Sequence, residues 1–336
     1  MSDCILVTGG AGYIGSQCCK LIAAAGYIPV VYDNLSSGHR EFVKWGPFIE
    51  GDIRDFDSLV GAMSKHRPAA IMHFAALALV GESVSDPERY WDVNVGGVRA
   101  ILEGMRSTGC DKLIFSSTCA IYGEPDVVPI VETTAKAPVS PYGASKLAAE
   151  LMIESYNTAY GLRSVRLRYF NACGADPNGD IGEAHAPETH LIPLILSAVT
   201  GHCGPISVFG RDYPTRDGTA IRDYVHVSDL ARAHLAAFQY LLDGKSSAAL
   251  NLGTGQGTSV AEVIAAVERV TDLKVPFIDT ARREGDPPCL VAKSDRAQRL
   301  LNWHPTRSAI EDVIEDAWNW HLSSMSPQKQ ADERVA

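Results

Sequence analysis

The chain has 336 residues, 46% of them hydrophobic, which is enough to bury a large core in two domains or one enlarged domain. A formal net charge of −10 argues against a nucleic-acid surface, so an anionic ligand must be held by local groups. No apolar run approaches the length of a membrane span, and Met1-Ser2-Asp3-Cys4 runs into a strand-like segment without a basic leader, which predicts a cytoplasmic protein with no membrane contact.

Cys4-Ile5-Leu6-Val7-Thr8 is β-rich and is followed by Gly9-Gly10-Ala11-Gly12-Tyr13-Ile14-Gly15 and then a helical pattern. Strand, glycine turn and helix in this order suit a dinucleotide. The glycines let the backbone approach a pyrophosphate, and the helix start offers unpaired N–H groups. A second β run over 27–32 ends at Asp33-Asn34, at the distance expected of an acid that binds the adenosine ribose. Asp33 selects NAD over NADP, since a 2′-phosphate would meet it as like charge, with only Arg40 to offset it.

The run 48–53 is a third strand with Asp52 at its ligand-side end, placed to accept from the adenine amino group. The fourth, 70–76, is wholly apolar apart from His73, as in a parallel sheet covered on both faces, and His73 reads as a packed core residue. Asp86-Pro87 opens a helix running past Asn94 towards Met105, and 112–118 is a fifth strand ending at Thr118. Five strand and helix alternations predict a doubly wound, Rossmann-type parallel sheet.

Tyr142-Gly143-Ala144-Ser145-Lys146 puts a phenol and an ammonium one turn apart on one helix face. A tyrosine that titrates near ~10 must be stabilised as phenolate by roughly 4 kcal/mol to serve as a base near pH 7. Lys146 and an oxidised nicotinamide would supply the charge. After Asn171 the chain turns polar and turn-rich. A strand and helix start at 222–229 and a core strand at 249–252 then return to the first domain, so the domains interleave. The expected division is 1–173 with 222–252 for NAD, 174–221 with 253–323 for a smaller mixed α/β substrate lobe closed by an amphipathic helix over 310–321, and a polar tail over 324–336. The eight cysteines are scattered and read as free thiols; Glu183, His185, Glu188 and His190 share a loop, but their spacing fits no standard ligand set and no metal is expected.

Thr8 to Gly15, Asp33-Asn34-Leu35, Gly51-Asp52-Ile53, Phe115-Ser116-Ser117-Thr118, Ser140-Pro141-Tyr142-Gly143-Ala144-Ser145-Lys146 and Arg168-Tyr169-Phe170-Asn171 resemble the extended short-chain dehydrogenase/reductase superfamily. Val80-Gly81-Glu82-Ser83-Val84, Phe209 to Thr215, Arg222-Asp223-Tyr224-Val225-His226-Val227, Asn251-Leu252-Gly253 and Arg282-Arg283-Glu284-Gly285-Asp286 narrow the likeness to its UDP-sugar 4-epimerases. The resemblance implies Tyr142 as acid/base, Lys146 as ribose anchor and phenol activator, and Thr118 as hydroxyl partner of the sugar. It implies NAD lined by Gly9, Gly12, Tyr13, Ile14, Gly15, Asp33, Asn34, Asp52, Ile53, Phe74, Ala75, Ala76, Asn94, Ser116 and Tyr169. It implies a UDP-sugar held by Asn171, His190, Leu191, Phe209, Arg222, Arg283, Asp286 and Leu290, with the two arginines on the diphosphate. His190 stands where such epimerases often carry asparagine.

The implied reaction interconverts UDP-glucose and UDP-galactose through a 4-ketosugar and enzyme-bound NADH. Dehydratase and decarboxylase relatives carry an acid just after the Thr118 position; Cys119-Ala120 here cannot do that second step. UDP-xylose/UDP-arabinose epimerisation shares every motif, a net sugar-nucleotide oxidoreductase stops after the first half, and an NAD-sensing module needs no Tyr142, Lys146 and Thr118 together. A homodimer through helices over 98–105 and 145–160 is implied by the resemblance alone.

Overall fold

The computed structural model describes residues 4–283 and 285–325. The first half alternates as expected: β1 (Cys4–Thr8), α1 (Tyr13–Ala24), β2 (Ile28–Asp33), β3 (Phe48–Glu50), α2 (Phe56–His66), β4 (Ala70–His73), α3 (Val80–Ser85), α4 (Pro87–Tyr90), α5 (Gly97–Thr108), β5 (Lys112–Thr118), α6 (Pro141–Tyr160) and β6 (Arg163–Tyr169). The second half contributes β7 (Asn171–Cys173), α7 (Leu191–Val199), β8 (Ile206–Phe209), β9 (Ile221–Arg222), β10 (Tyr224–His226), α8 (Val227–Leu242), β11 (Ala248–Leu252), β12 (Thr258–Ser259), α9 (Val260–Thr271), β13 (Phe277–Thr280), β14 (Cys289–Leu290), α10 (Asp295–Leu301) and α11 (Ile310–Ser324).

Seven strands form one parallel sheet in the order β11-β6-β5-β4-β1-β2-β3. The order reverses between β1 and β4, which opens the crevice where ligands of doubly wound sheets bind. Ile5, Leu6 and Val7 are fully buried, so β1 faces apolar layers on both sides. On one side Cys18 and Ile22 of α1 pack with Leu230, Phe238 and Leu241 of α8; on the other Leu59 and Met63 of α2 pack with Ile101, Met105 and Ile153. His73 lies in β4, 2% exposed, with Nδ1 2.7 Å from the Thr8 hydroxyl; burial, and then the Lys146 charge, pull its pKa down to about 3. It is a satisfied, neutral core histidine.

Two details depart from the sequence reading. The helix from Pro87 to Thr108 widens into a π-helical turn at Trp91–Gly96, which holds Asn94. Such turns mark an inserted residue and recur at functional sites. The strand read as starting at 222 is split between two small sheets: β9 pairs with β12 and β14, while β10 pairs with β7, so the crossing falls at Asp223. Buried Asp223 fixes that crossing by accepting from the Thr254 N–H and hydroxyl, Gly255 N and Ala292 N.

The smaller lobe has its own core, in which Ile195 and Leu196 of α7 meet Val263 and Val267 of α9 and Val313 and Ile314 of α11. The last helix reaches Ser324 rather than 321, and the expected tail lies, apart from Ser324 and Met325, outside the described residues. Cys18, Cys19, Cys110, Cys119, Cys173, Cys203 and Cys289 are free thiols.

Candidate active site

The ligand ends of β1, β2, β4 and β5 meet at one crevice. Gly9 has φ +75°, and a Cβ there would sit 2.4 Å from Ala75 N; a Cβ on Gly15 would sit 2.1 Å from Gly9 O. Both positions therefore need glycine for contact between backbones. Gly12 begins α1 with no side chain capping it, which leaves the first N–H groups of that helix for an anionic guest. We expect Gly15→Ala to destabilise the cofactor-free chain by about 1–3 kcal/mol, the usual cost of overpacking. An unchanged urea midpoint would contradict this.

Asp33 is buried at the end of β2, where its carboxylate accepts from Ala11 N and Leu35 N, both at 2.9 Å. It thus shapes the glycine loop and keeps lone pairs free for a further donor. Burial raises its pKa, and those two N–H groups pull it back. Asp52 is held by Arg54 and by Asn34 Nδ2 (3.0 Å), and the Arg54 hydrogen bonds lower its pKa to about 2. Ile53 is buried against Gly97, and Phe74 lies 4.6 Å from the His234 ring, between centroids. Ala75 and Ala76 follow it with small side chains in the crevice wall. The Asn94 amide accepts from Leu77 N (2.9 Å) and donates to Leu77 O (3.1 Å) and Ser145 Oγ (3.0 Å), so it ties the turn after β4 to α6.

Helix α6 starts where its sequence dictates. Ser140 caps it by accepting from Gly143 N at 3.2 Å, and Pro141 occupies the first turn. This aims Tyr142 at the end of β5. Thr118 Oγ1 accepts from Ala120 N at 3.1 Å, which leaves its O–H free to donate. Burial pushes the Tyr142 phenol up to about 12, while the Thr118 hydroxyl beside it pulls the other way. Lys146 is 4% exposed; its Nζ donates to Ser116 O (2.9 Å) and lies 5.0 Å from the Phe115 ring centroid. Ser116 Oγ contacts the Tyr169 hydroxyl.

Burial brings Lys146 itself down to about 8. In the unfolded chain Lys146 returns to about 10.4, so keeping the ammonium charged at pH 7 costs about 3 kcal/mol of stability. The folded value is the lower one, so the unfolded chain binds more protons between pH about 8 and about 10.4, and stability rises with pH across that window. Lys146→Met is expected to stabilise the cofactor-free protein at pH 7 by about 1–3 kcal/mol. That advantage should vanish by pH ~10.4. A variant no more stable than the parent at pH 7 would refute this account.

Beneath Lys146, a pair absent from the sequence reading anchors the helix. Glu150, one turn on, accepts from Ser117 Oγ (2.6 Å), Arg168 Nε (2.8 Å) and Arg168 Nη2 (2.5 Å). Arg168 Nη1 reaches Tyr122 OH (2.9 Å), which donates to Asn251 Oδ1 (2.7 Å). The only local signal was an acid four residues after Lys146 on the same helix face.

The second lobe supplies the opposite wall. Arg222 pairs with Asp286 and also faces Leu290 across the β9–β14 pairing. Burial raises the Cys119 thiol, and the Arg222 charge is the next influence, pulling it down. Arg283 stacks on the Phe209 ring at 3.8 Å. Asn171 enters β7, and its N–H donates to Asp223 O at 2.9 Å. His190 and Leu191 open α7. Burial lowers the His190 pKa, but Glu183 and Glu188, each 2.9 Å from Nδ1, more than reverse this and carry it to about 10.

A model of the NAD dependent epimerase/dehydratase family matches residues 5–253. A UDP-glucose 4-epimerase of Rhizobium meliloti (strain 1021) is 53% identical over 94% of this chain and 96% of its own. The crystal structure of UDP-glucose 4-epimerase from Brucella ovis in complex with NAD superposes with a TM-score of 0.93 at 51% identity, covering 94% of this chain and 98% of that one. The Stenotrophomonas maltophila UDP-glucose-4-epimerase with bound NAD and formylated UDP-arabinopyranose gives 0.92 at 39% identity, covering 100% of both chains.

Proposed function

The chain belongs to the NAD dependent epimerase/dehydratase family, and from that premise we propose that it is an NAD-dependent enzyme interconverting UDP-glucose and UDP-galactose. The observation that carries the reading is the strand end at Thr118: a free hydroxyl donor beside the Tyr142 phenol, then Cys119 and Ala120 where a second-step acid would stand.

The glycine loop and the uncapped start of α1 fit a dinucleotide, with Gly9, Gly12, Tyr13, Ile14 and Gly15 against its pyrophosphate and Asp33 on its adenosine ribose. NAD, when bound, supplies reversible two-electron redox chemistry at the sugar C4. Tyr142 takes the C4 hydroxyl proton, Thr118 donates to the phenolate or sugar oxygen, and Lys146 holds the nicotinamide ribose. Arg222 and Arg283 grip the diphosphate, while the ketosugar turns over above the small side chains of Ala75 and Ala76. Tyr142 then returns the proton to the C4 oxygen of the inverted sugar, with no net oxidation. Lowering a phenol from about 12 to near 7 takes roughly 7 kcal/mol, so the charge of the bound oxidised cofactor is part of the acid/base device.

Purified protein should convert UDP-galactose without added NAD and without accumulating NADH, followed by the absorbance of the reduced ring near ~340 nm. Stoichiometric NADH release would identify a net oxidoreductase instead. The Stenotrophomonas protein was solved with a UDP-pentose, which favours testing UDP-xylose and UDP-GlcNAc beside UDP-galactose. Leu290 packs with Ile121, Tyr122 and Ile130, which suits a pocket sized for the unsubstituted hexose.

In this reading 1–173 with 222–252 hold NAD, and 174–221 with 253–323 hold the UDP-sugar. Two copies pair through α5 and α6, where Leu151 and Tyr160 are exposed, and the dimer works in the cytoplasm. Among the described residues no helix is long and apolar enough to cross a membrane.

A further inference from the structure

We propose that Glu183, His185, Glu188 and His190 bind one divalent transition-metal ion of the zinc type. Each offers a donor atom, and the four lie within 4.8 Å of one another. His190 Nδ1 is 2.9 Å from both Glu183 Oε1 and Glu188 Oε1; His185 Nδ1 is 3.3 Å from Glu183 Oε1 and 3.6 Å from Glu188 Oε2. Tetrahedral zinc with bonds of about 2.0–2.1 Å holds its ligand atoms roughly 3.3 Å apart, so these four edges bracket the required size. The spacing E-x-H-x-x-E-x-H matches no standard signature because all four ligands come from one folded loop and the start of α7, not from two knuckles or a helix face.

The two histidines sit differently against the carboxylates: His190 Nδ1 is close to both, and His185 Nδ1 stands farther off. His190 and Glu188 are hydrogen-bonded. His185 Nδ1 is buried and makes no hydrogen bond of its own, although two carboxylates stand beside it. Its lone pair converges with theirs on a common point rather than on either oxygen. A buried nitrogen that faces two carboxylates without hydrogen-bonding to either leaves room for an ion between them. Ligation requires both imidazoles to give up their protons, and the two carboxylates then carry a charge that one divalent cation neutralises. Nitrogen donors favour zinc over calcium or magnesium, which prefer shells made wholly of oxygen.

The location gives such an ion a structural task. The His185 ring lies edge-on to Tyr13 of the glycine loop, with centroids 6.2 Å apart, and Tyr13 OH donates to Gly174 O at 2.5 Å. The same loop is latched to the first lobe by Lys20 on Asp176 and Asp180. A metal would pin the loop beside the dinucleotide and, through Nδ1 ligation, fix His190 with its Nε2 as the hydrogen-bond donor. The proposal stands apart from the reaction assigned above, because metal binding is read without turnover.

The test uses full-length, tag-free protein stripped by chelator, dialysed into metal-free buffer and titrated separately with Zn2+, Mn2+ and Mg2+. One Zn2+ per chain is expected, bound at least about 100-fold more weakly after His185→Ala or Glu188→Gln, with the Zn2+-induced rise in melting temperature lost in both. Absence of stoichiometric uptake, a preference for Mg2+, or uptake unchanged by both substitutions would overturn it. If circular dichroism shows that the variants do not fold, anomalous diffraction from zinc-soaked parent crystals decides: a peak between the four side chains supports the site and its absence refutes it.

Discussion

Replacing Tyr142 by phenylalanine is expected to lower kcat on UDP-galactose by about 10³-fold, within the range removed with a positioned acid/base. Binding should change little. The phenol oxygen is the only atom deleted, while α6 keeps its Ser140 cap and Lys146 keeps its bond to Ser116 O. KM should therefore stay within a few-fold of the parent, the signature of an interaction made in the transition state alone. Thr118→Val should act in the same direction but less severely, since water can replace a donor more easily than it can replace the base. Stopped assays with radiolabelled UDP-galactose measure both. Parent-like turnover by the phenylalanine variant would remove Tyr142 from the mechanism.

The second large effect concerns stability. Glu150→Ala is expected to cost about 3–5 kcal/mol, because it strands a buried guanidinium. The side chains of both Glu150 and Arg168 are only 2% exposed, and among the described residues that carboxylate is the only charged group paired with the arginine. Glu150 titrates below the ordinary carboxylate range: burial pushes it up, but the Arg168 hydrogen bonds and charge prevail. The folded value is the depressed one, so the contribution is present above the unfolded pKa of about 4.3 and fades as pH falls through the folded value. Urea denaturation at pH 7 should show the loss. Replacing both partners by apolar groups of similar size, Glu150→Leu with Arg168→Met, should recover most of it. A loss under about 1 kcal/mol for Glu150→Ala would mean that Arg168 finds water or another acid.

Much of the nucleotide half was legible because its signals are local. The glycine loop needs φ +75° at Gly9 and a missing Cβ at Gly15, constraints that show directly as residue identity. Tyr142 and Lys146 are one helical turn apart, and β1 and β4 carry their burial in short, largely apolar runs. What escaped depends on distant partners. Glu150 is defined by Arg168 on another strand and Asp223 by Thr254, Gly255 and Ala292; Asn94 was named through the resemblance, but not its tie to Leu77 and Ser145. None of these pairings leaves a periodic trace. The loop from Glu183 to His190 was weighed and set aside on its spacing, since its four side chains converge only once the loop has folded.

The place of β11 at the sheet edge beside β6 has a consequence for biosynthesis. The strand that completes the nucleotide-binding sheet leaves the ribosome only after α7, β8, β9, β10 and α8 have been made. Until then Val165 and Leu167 lie on an open parallel edge, and for most of that interval α8 is missing from the adjoining face. A nascent chain stalled at this stage presents a sticky template to its neighbours, so slow translation through the middle of the message should increase aggregation. Neither lobe can then be produced alone by cutting the chain once.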